Sequence, residues 1–232
     1  MSNCKISVPF FEIGPKSYLY GDDILELALA ADKASEKYDV DIIFTCPVVD
    51  IRRVSEATKR IHVFAPHMDP IVPGRGLADI LPESLVAAGA EGVMLNHVEK
   101  PLEFDVLAET IKRADEVGLT TIVCADSIAD ASKIAGLHPD IIVAEPSELI
   151  GTGVSVGPEY VAAATESVKK VDPNILVLTA AGIAGGEDVY NTIIAGADAT
   201  GSSSGVAKAE DRPAMVDEMI AACRKAWDEK HK

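Results

Sequence analysis

Three side chains able to move a proton or hold an anion stand immediately after short apolar runs in this chain. They are Lys16 in Glu12-Ile13-Gly14-Pro15-Lys16, His97 in Asn96-His97-Val98-Glu99-Lys100, and Glu145 in Glu145-Pro146. A second set is small: Gly151-Thr152-Gly153, Ala181-Gly182-Ile183 and Ser203-Ser204-Gly205. Small residues let backbone N–H groups approach an anion closely, as in phosphate cradles. Each feature also has an ordinary reading taken alone: a solvated lysine, a capping histidine, a helix-entry carboxylate, turn glycines. Together they form a site only if the fold brings them to one place.

Apolar runs rich in Val and Ile alternate with longer segments of helical spacing, which is the signature of βα units. The expected strands are Ile6 to Phe11, Asp41 to Thr45, Ile61 to Ala65, Gly92 to Leu95, Thr120 to Cys124, Asp140 to Ala144, Ile175 to Thr179 and Ala197 to Gly201. Helices are expected at Asp22 to Tyr38, Asp50 to Thr58, Pro82 to Ala88, Glu103 to Val117, Ser127 to Ala135, Pro158 to Val171, Glu187 to Ala195 and Ala214 to Trp227. Pro82 and Pro158 suit a first helical turn, and Gly89 and Gly118 suit helix ends.

Eight parallel βα units favour an α/β fold closed as one (β/α)8 barrel, here a single domain over residues 1–232. A flavodoxin-like open sheet would have to absorb too many units. The last strand, within Ala197 to Gly205, is assigned by count, since its residues are small and polar. In such a barrel the loops after the strands share one face, so Lys16, His97 and Glu145 converge there and the glycine-rich loops follow strands six, seven and eight.

The 232 residues carry 37 acidic and 21 basic side chains, a formal charge of −16, which disfavours nucleic acid as a partner. Cys4, Cys46, Cys124 and Cys223 form no close pair, so reduced thiols are expected and no metal site is indicated. The first nine residues lack the charged start and apolar run of a signal peptide, and no apolar stretch approaches the roughly 18 residues of a membrane span. A cytoplasmic protein without membrane attachment is the expectation.

The segments Leu95-Asn96-His97-Val98-Glu99, Ala144-Glu145-Pro146 with Leu149-Ile150-Gly151-Thr152-Gly153, and Ala180-Ala181-Gly182-Ile183 with Gly185-Gly186-Glu187-Asp188-Val189 resemble triosephosphate isomerase, most closely its short archaeal-type branch. Ala65-Pro66-His67-Met68-Asp69-Pro70, Val123-Cys124-Ala125 and Ser204-Gly205-Val206-Ala207-Lys208-Ala209 extend the resemblance along nearly the whole chain. It implies a TIM barrel that interconverts glyceraldehyde 3-phosphate and dihydroxyacetone phosphate. Glu145 would be the carboxylate base, neutral His97 the electrophile and Lys16 the cation, the pairing of groups described for this enzyme as a standard case. Asn96 would support the site, Glu99 would pair with Lys16, and backbone N–H groups at Gly151, Gly182, Ser203 and Ser204 would hold phosphate. Residues 146–157 would form a closing lid. The resemblance implies no cofactor, a small phosphorylated sugar as the partner, and a homo-oligomer, dimeric or tetrameric.

The chain departs from the family pattern in four places. Gly14 stands where the family carries Asn, two residues before the lysine, and Val98 stands where it carries Ser. The loop after the third strand has Pro66 in place of a Gln and Leu77-Ala78 in place of a Thr-Gly pair that reaches the neighbouring subunit. The eighth strand is polar. An isomerase of another small sugar phosphate, or a catalytically silent barrel that binds a phosphorylated ligand, are the alternatives.

Overall fold

Eight parallel strands close on themselves in sequence order in the computed structural model, which describes residues 5–232. They are β1 (Phe10–Ile13), β2 (Asp41–Thr45), β3 (His62–Ala65), β4 (Gly92–Leu95), β5 (Thr120–Ala125), β6 (Ile141–Ala144), β7 (Leu176–Thr179) and β8 (Ala199–Ser202). Around them lie α1 (Asp22–Tyr38), α2 (Ile51–Ala57), α3 (Pro82–Ala87), α4 (Phe104–Val117), α5 (Ile128–Ala135), α6 (Pro158–Val171), α7 (Gly186–Ile194), α8 (Ser204–Ala207) and α9 (Arg212–Lys230). The expected (β/α)8 barrel is the observed fold. Among the described residues no helix is long and apolar enough to cross a membrane. Cys46, Cys124 and Cys223 are buried free thiols, while Cys4 lies outside the described residues.

Alternation along each strand sorts side chains into two cores. Phe10, Ile43, Phe64, Ile122, Cys124, Ile141, Val143, Leu178 and Ala199 fill the barrel interior. Phe11, Ile13, Ile42, Phe44, Val63 and Val93 join the ring of helix side chains outside it. Pro82 and Pro158 open α3 and α6, and Gly118 ends α4 at φ 79°, where the absent Cβ removes the steric cost.

Most boundaries fall within one or two residues of the sequence expectation, and three differences are larger or change an element. The first strand runs from Phe10 to Ile13 rather than Ile6 to Phe11, because Pro9 has no N–H to give the ladder and pairing with both β2 and β8 begins beyond it. The last helix extends to Arg212–Lys230, with Asp211 capping its start by accepting from Ala214 N. Ser204, expected in a loop, opens the short helix α8.

The eighth strand is a true barrel strand although its sequence is Ala-Thr-Gly-Ser. All four residues pair with β1 and all are buried. Thr200 Oγ1 donates to Thr179 O at 2.8 Å and Ser202 Oγ to Ile183 O at 2.9 Å, so the outward hydroxyls are satisfied. The inward positions are Ala199 and Gly201, and a Cβ on Gly201 would stand 2.9 Å from Glu12 Cβ. Gly92 on β4 obeys the same constraint: a Cβ would stand 2.4 Å from the Phe64 ring and 2.6 Å from Thr120 O. Gly92→Ala is therefore expected to lower unfolding free energy by about 1–3 kcal/mol, read by urea denaturation.

Candidate active site

One cavity of about 530 Å³ opens among the loops that follow the strands, and it is lined by Lys16, His97, Glu145, Gly151, Gly182, Ser203 and Ser204. Glu99 lines it as well, whereas Asn96 lies behind the wall. Residues scattered over nearly 190 positions of chain thus share one pocket because each follows a strand of the same closed sheet.

His97 leaves β4 through Asn96, which takes the left-handed conformation at φ 58°. That residue type tolerates this region better than most. Asn96 Nδ2 donates to Cys124 O at 3.0 Å while its Oδ1 accepts from Leu102 N at 3.0 Å, tying the loop to β5 and to its own far end. The imidazole is then fixed by its neighbour: Glu99 N donates to His97 Nδ1 at 3.1 Å. A backbone N–H can only donate, so Nδ1 is an acceptor and the proton of the neutral ring sits on Nε2. Burial and the nearby Lys16 ammonium lower the histidine pKa, outweighing the opposite influence of Glu99. The ring is neutral at physiological pH.

Glu145 follows β6, and its Oε1 lies 3.6 Å from His97 Nε2, a close approach just beyond hydrogen-bond length. Both side chains are 12% exposed. Burial drives the Glu145 pKa up to about 7, with Lys16 lowering it and the Asp126 and Glu99 charges raising it further. A carboxyl with that pKa is poised as a base near neutrality. Lys16 follows β1 in a left-handed turn at φ 48°, and its Nζ lies 3.2 Å from Glu99 Oε1. Its non-glycine positive φ is a local strain held at the pocket rim.

The glycine-rich side of the cavity is built by backbone. A Cβ on Gly182 would fall 2.0 Å from Val154 O, so the segment after β7 and the 146–157 segment pack main chain on main chain. Ser155 Oγ donates to Asp188 Oδ1 at 3.0 Å, and Asp188 Oδ2 accepts from Ala184 N at 3.0 Å, bridging the same two segments. Ser203 Oγ is buried without a hydrogen-bond partner, and Ser204 begins α8, whose first N–H groups have no helical acceptor. Among the described residues no group of three or more His, Cys, Asp or Glu side chains is gathered to hold a metal ion.

Among the lining residues not assigned a role from sequence are Glu12, Thr45 and Lys208. Glu12 is buried on the inward face of β1, and Thr45 Oγ1 donates to its Oε1 at 2.5 Å. Burial lifts its pKa to about 7, with the Thr45 hydrogen bond and Lys16 pulling it down and the Glu145 charge pushing it up. The signal was a charged residue inside the apolar run Phe10-Phe11-Glu12-Ile13, legible only once that strand is placed beyond Pro9. Lys208 stands after α8 with its Nζ 4.9 Å from the centre of the Tyr18 ring, a further cation at the rim beside Lys16 and Lys100.

The family model for triosephosphate isomerase matches residues 16–222. The chain belongs to the triosephosphate isomerase family. Triosephosphate isomerase of Sulfolobus acidocaldarius is 36% identical over 227 residues, covering 96% of this chain and 98% of its own. That of Sulfurisphaera tokodaii is 37% identical over 227 residues, again 96% and 98%. That of Methanothermus fervidus is 37% identical over 203 residues, 86% of this chain and 91% of its own. The family match opens at Lys16, so Glu12 to Pro15 lie outside it.

Burial of Glu145 has a measurable cost. Its pKa is about 7 folded against an ordinary 4.5, so the folded state holds a proton that the unfolded chain releases. The stability this lends is complete below pH 4.5 and lost as pH rises through 7. Glu145→Gln is expected to shrink the fall in unfolding free energy between pH 5 and 8 by about 2–3 kcal/mol, measured by denaturant titration at both pH values.

Proposed function

We propose that this chain is a triosephosphate isomerase that interconverts glyceraldehyde 3-phosphate and dihydroxyacetone phosphate through an enediolate. The observation that carries the reading is the neutral imidazole of His97, proton on Nε2, set 3.6 Å from a buried carboxylate beside a lysine. Family membership supports the same conclusion.

Glu145 takes the proton from the carbon next to the substrate carbonyl, and His97 Nε2–H donates to the carbonyl oxygen as it gains charge. The proton returns to the neighbouring carbon while the hydroxyl proton passes, by way of His97 Nε2, to the former carbonyl oxygen, so the hydroxyl and carbonyl exchange places with no net oxidation. Lys16 balances the negative charge of the substrate and the enediolate. The backbone N–H groups of Gly182, Ser203 and Ser204, with Gly151 from the lid, hold the phosphate, and the unpartnered Ser203 hydroxyl adds a donor. Asn96 and Glu99 position His97, and Glu99 also orients Lys16. The protein carries a charge of −16, but screening beyond roughly 8 Å at physiological salt leaves the local sign to Lys16 and the oriented N–H groups. Residues 146–157 close over the bound substrate and exclude water.

The chain acts as a homo-oligomer in this reading. What supports it is apolar exposure in the segment after β3, where Leu77 is 95% and Val72 64% exposed. Leu77→Asp is expected to shift the protein toward the monomer in light scattering.

A coupled assay on the two triose phosphates tests the function, and turnover confined to a tetrose or pentose phosphate would replace it. Glu145→Asp should lower kcat by about 10²-fold or more with little change in KM, since the base retreats by one methylene. Lys16→Ala should remove productive binding; an unchanged KM there would take the lysine out of the site.

A further inference from the structure

Glu12 lines the cavity, yet the proton transfer above gives it no task. Apolar side chains border it inside the barrel: Phe10 precedes it on the inward face of the same strand, Ile43 is its register partner on β2, and Val143 lies on β6. Space has been cleared for the carboxyl group. A Cβ on Gly14 would stand 2.8 Å from Glu12 Oε1, and a Cβ on Gly201 would stand 2.9 Å from Glu12 Cβ and 3.1 Å from Oε2. Thr45 holds Oε1, and Oε2 has no hydrogen-bond partner among the described residues. A buried carboxyl bonded at one oxygen is poor structural material, because an apolar side chain of similar size would pack there without the desolvation penalty. Half-satisfied polar groups of this kind are accounted for when a ligand completes them.

We propose that Glu12 is a further substrate-contacting residue, whose Oε2 donates an O–H hydrogen bond to the substrate oxygen that gains charge in the enediolate. The proposal rests on the isomerase reading of the same pocket. Glu12 keeps its proton throughout, and the only proton that changes carbon is the one carried by Glu145. With Thr45 donating to Oε1, the acid proton is left for Oε2. Burial and the Glu145 carboxylate favour the acid form, while the Thr45 hydroxyl and the Lys16 ammonium oppose it. Cys124, inside the barrel, is pushed further toward the neutral thiol by both carboxylates and adds no charge. A charged Glu145 therefore disfavours a second charge on Glu12. Their active form carries one proton on Glu12 and none on Glu145. A neutral carboxylic acid kept in an apolar site so that it can donate to an oxyanion is established chemistry in another isomerase.

The test pairs Glu12→Gln, which restores a donor at the same place, with Glu12→Leu, which removes it. The readouts are kcat and kcat/KM on triose phosphate from pH 5 to 9, and calorimetric affinity for inorganic phosphate and for a phosphorylated hydroxamate analogue of the enediolate. Wild type is expected to give a bell-shaped kcat/KM profile. Glu12→Gln should stay within about 5-fold at pH 7 and lose the alkaline limb, since the amide cannot release its proton. Glu12→Leu should lose about 10²-fold in kcat, with little change in KM and no loss of melting temperature. Hydroxamate affinity should fall in Glu12→Leu and recover in Glu12→Gln, with phosphate affinity constant in all three proteins. Wild-type kcat in Glu12→Leu, or an alkaline limb retained in Glu12→Gln, overturns the proposal. If Glu12→Leu does not fold, the Glu12→Gln profile decides. If wild type does not turn over triose phosphates, the isomerase reading fails instead, and the hydroxamate affinities still judge the role of Glu12.

Discussion

A carboxylate cannot be buried cheaply, and the pocket of this protein is organised around that fact. Glu145 sits at the end of β6 with little access to water, so its charge is opposed by burial and supported chiefly by Lys16. The balance leaves it able to accept a proton near neutrality. The same low dielectric keeps His97 uncharged and gives its Nε2–H full weight as a donor. Moved to the surface, both groups would lose the properties that suit them to proton transfer at carbon.

Holding such groups requires rigid backbone rather than long side chains. The loop after β4 is pinned by both ends of the Asn96 amide, and the imidazole is turned by one backbone N–H. The left-handed turn at Lys16 and the close approach of Gly182 to the Val154 carbonyl are local departures from easy geometry, both at the cavity. They are sustained by a barrel whose interior and outer ring are filled by large apolar side chains.

The barrel also has room for a second carboxyl only because its neighbours are small. Gly14 and Gly201 yield volume to Glu12, which accounts for the glycine in the eighth strand. That strand borders the cavity, and its ladder hydrogen bonds are joined by the Thr200 and Ser202 hydroxyls bonded to carbonyls.

Periodicity and punctuation were enough to read eight βα units, their order and the closed parallel sheet, since alternation of apolar strand and amphipathic helix is a local property of the chain. Lys16, His97 and Glu145 were legible as candidates because each follows an apolar run, and in a barrel that position determines the face. The sequence was silent on Glu12: with the strand read as ending at Phe11, the next residue looked like the start of a loop. The strand instead runs on to Ile13, and alternation from the inward Phe10 puts Glu12 inside the barrel. What tertiary structure alone decided is the electrostatic state of these groups and their separations. Burial, the direction of a lone N–H and the space left by a distant glycine arise from segments far apart in the chain, and no local pattern records them.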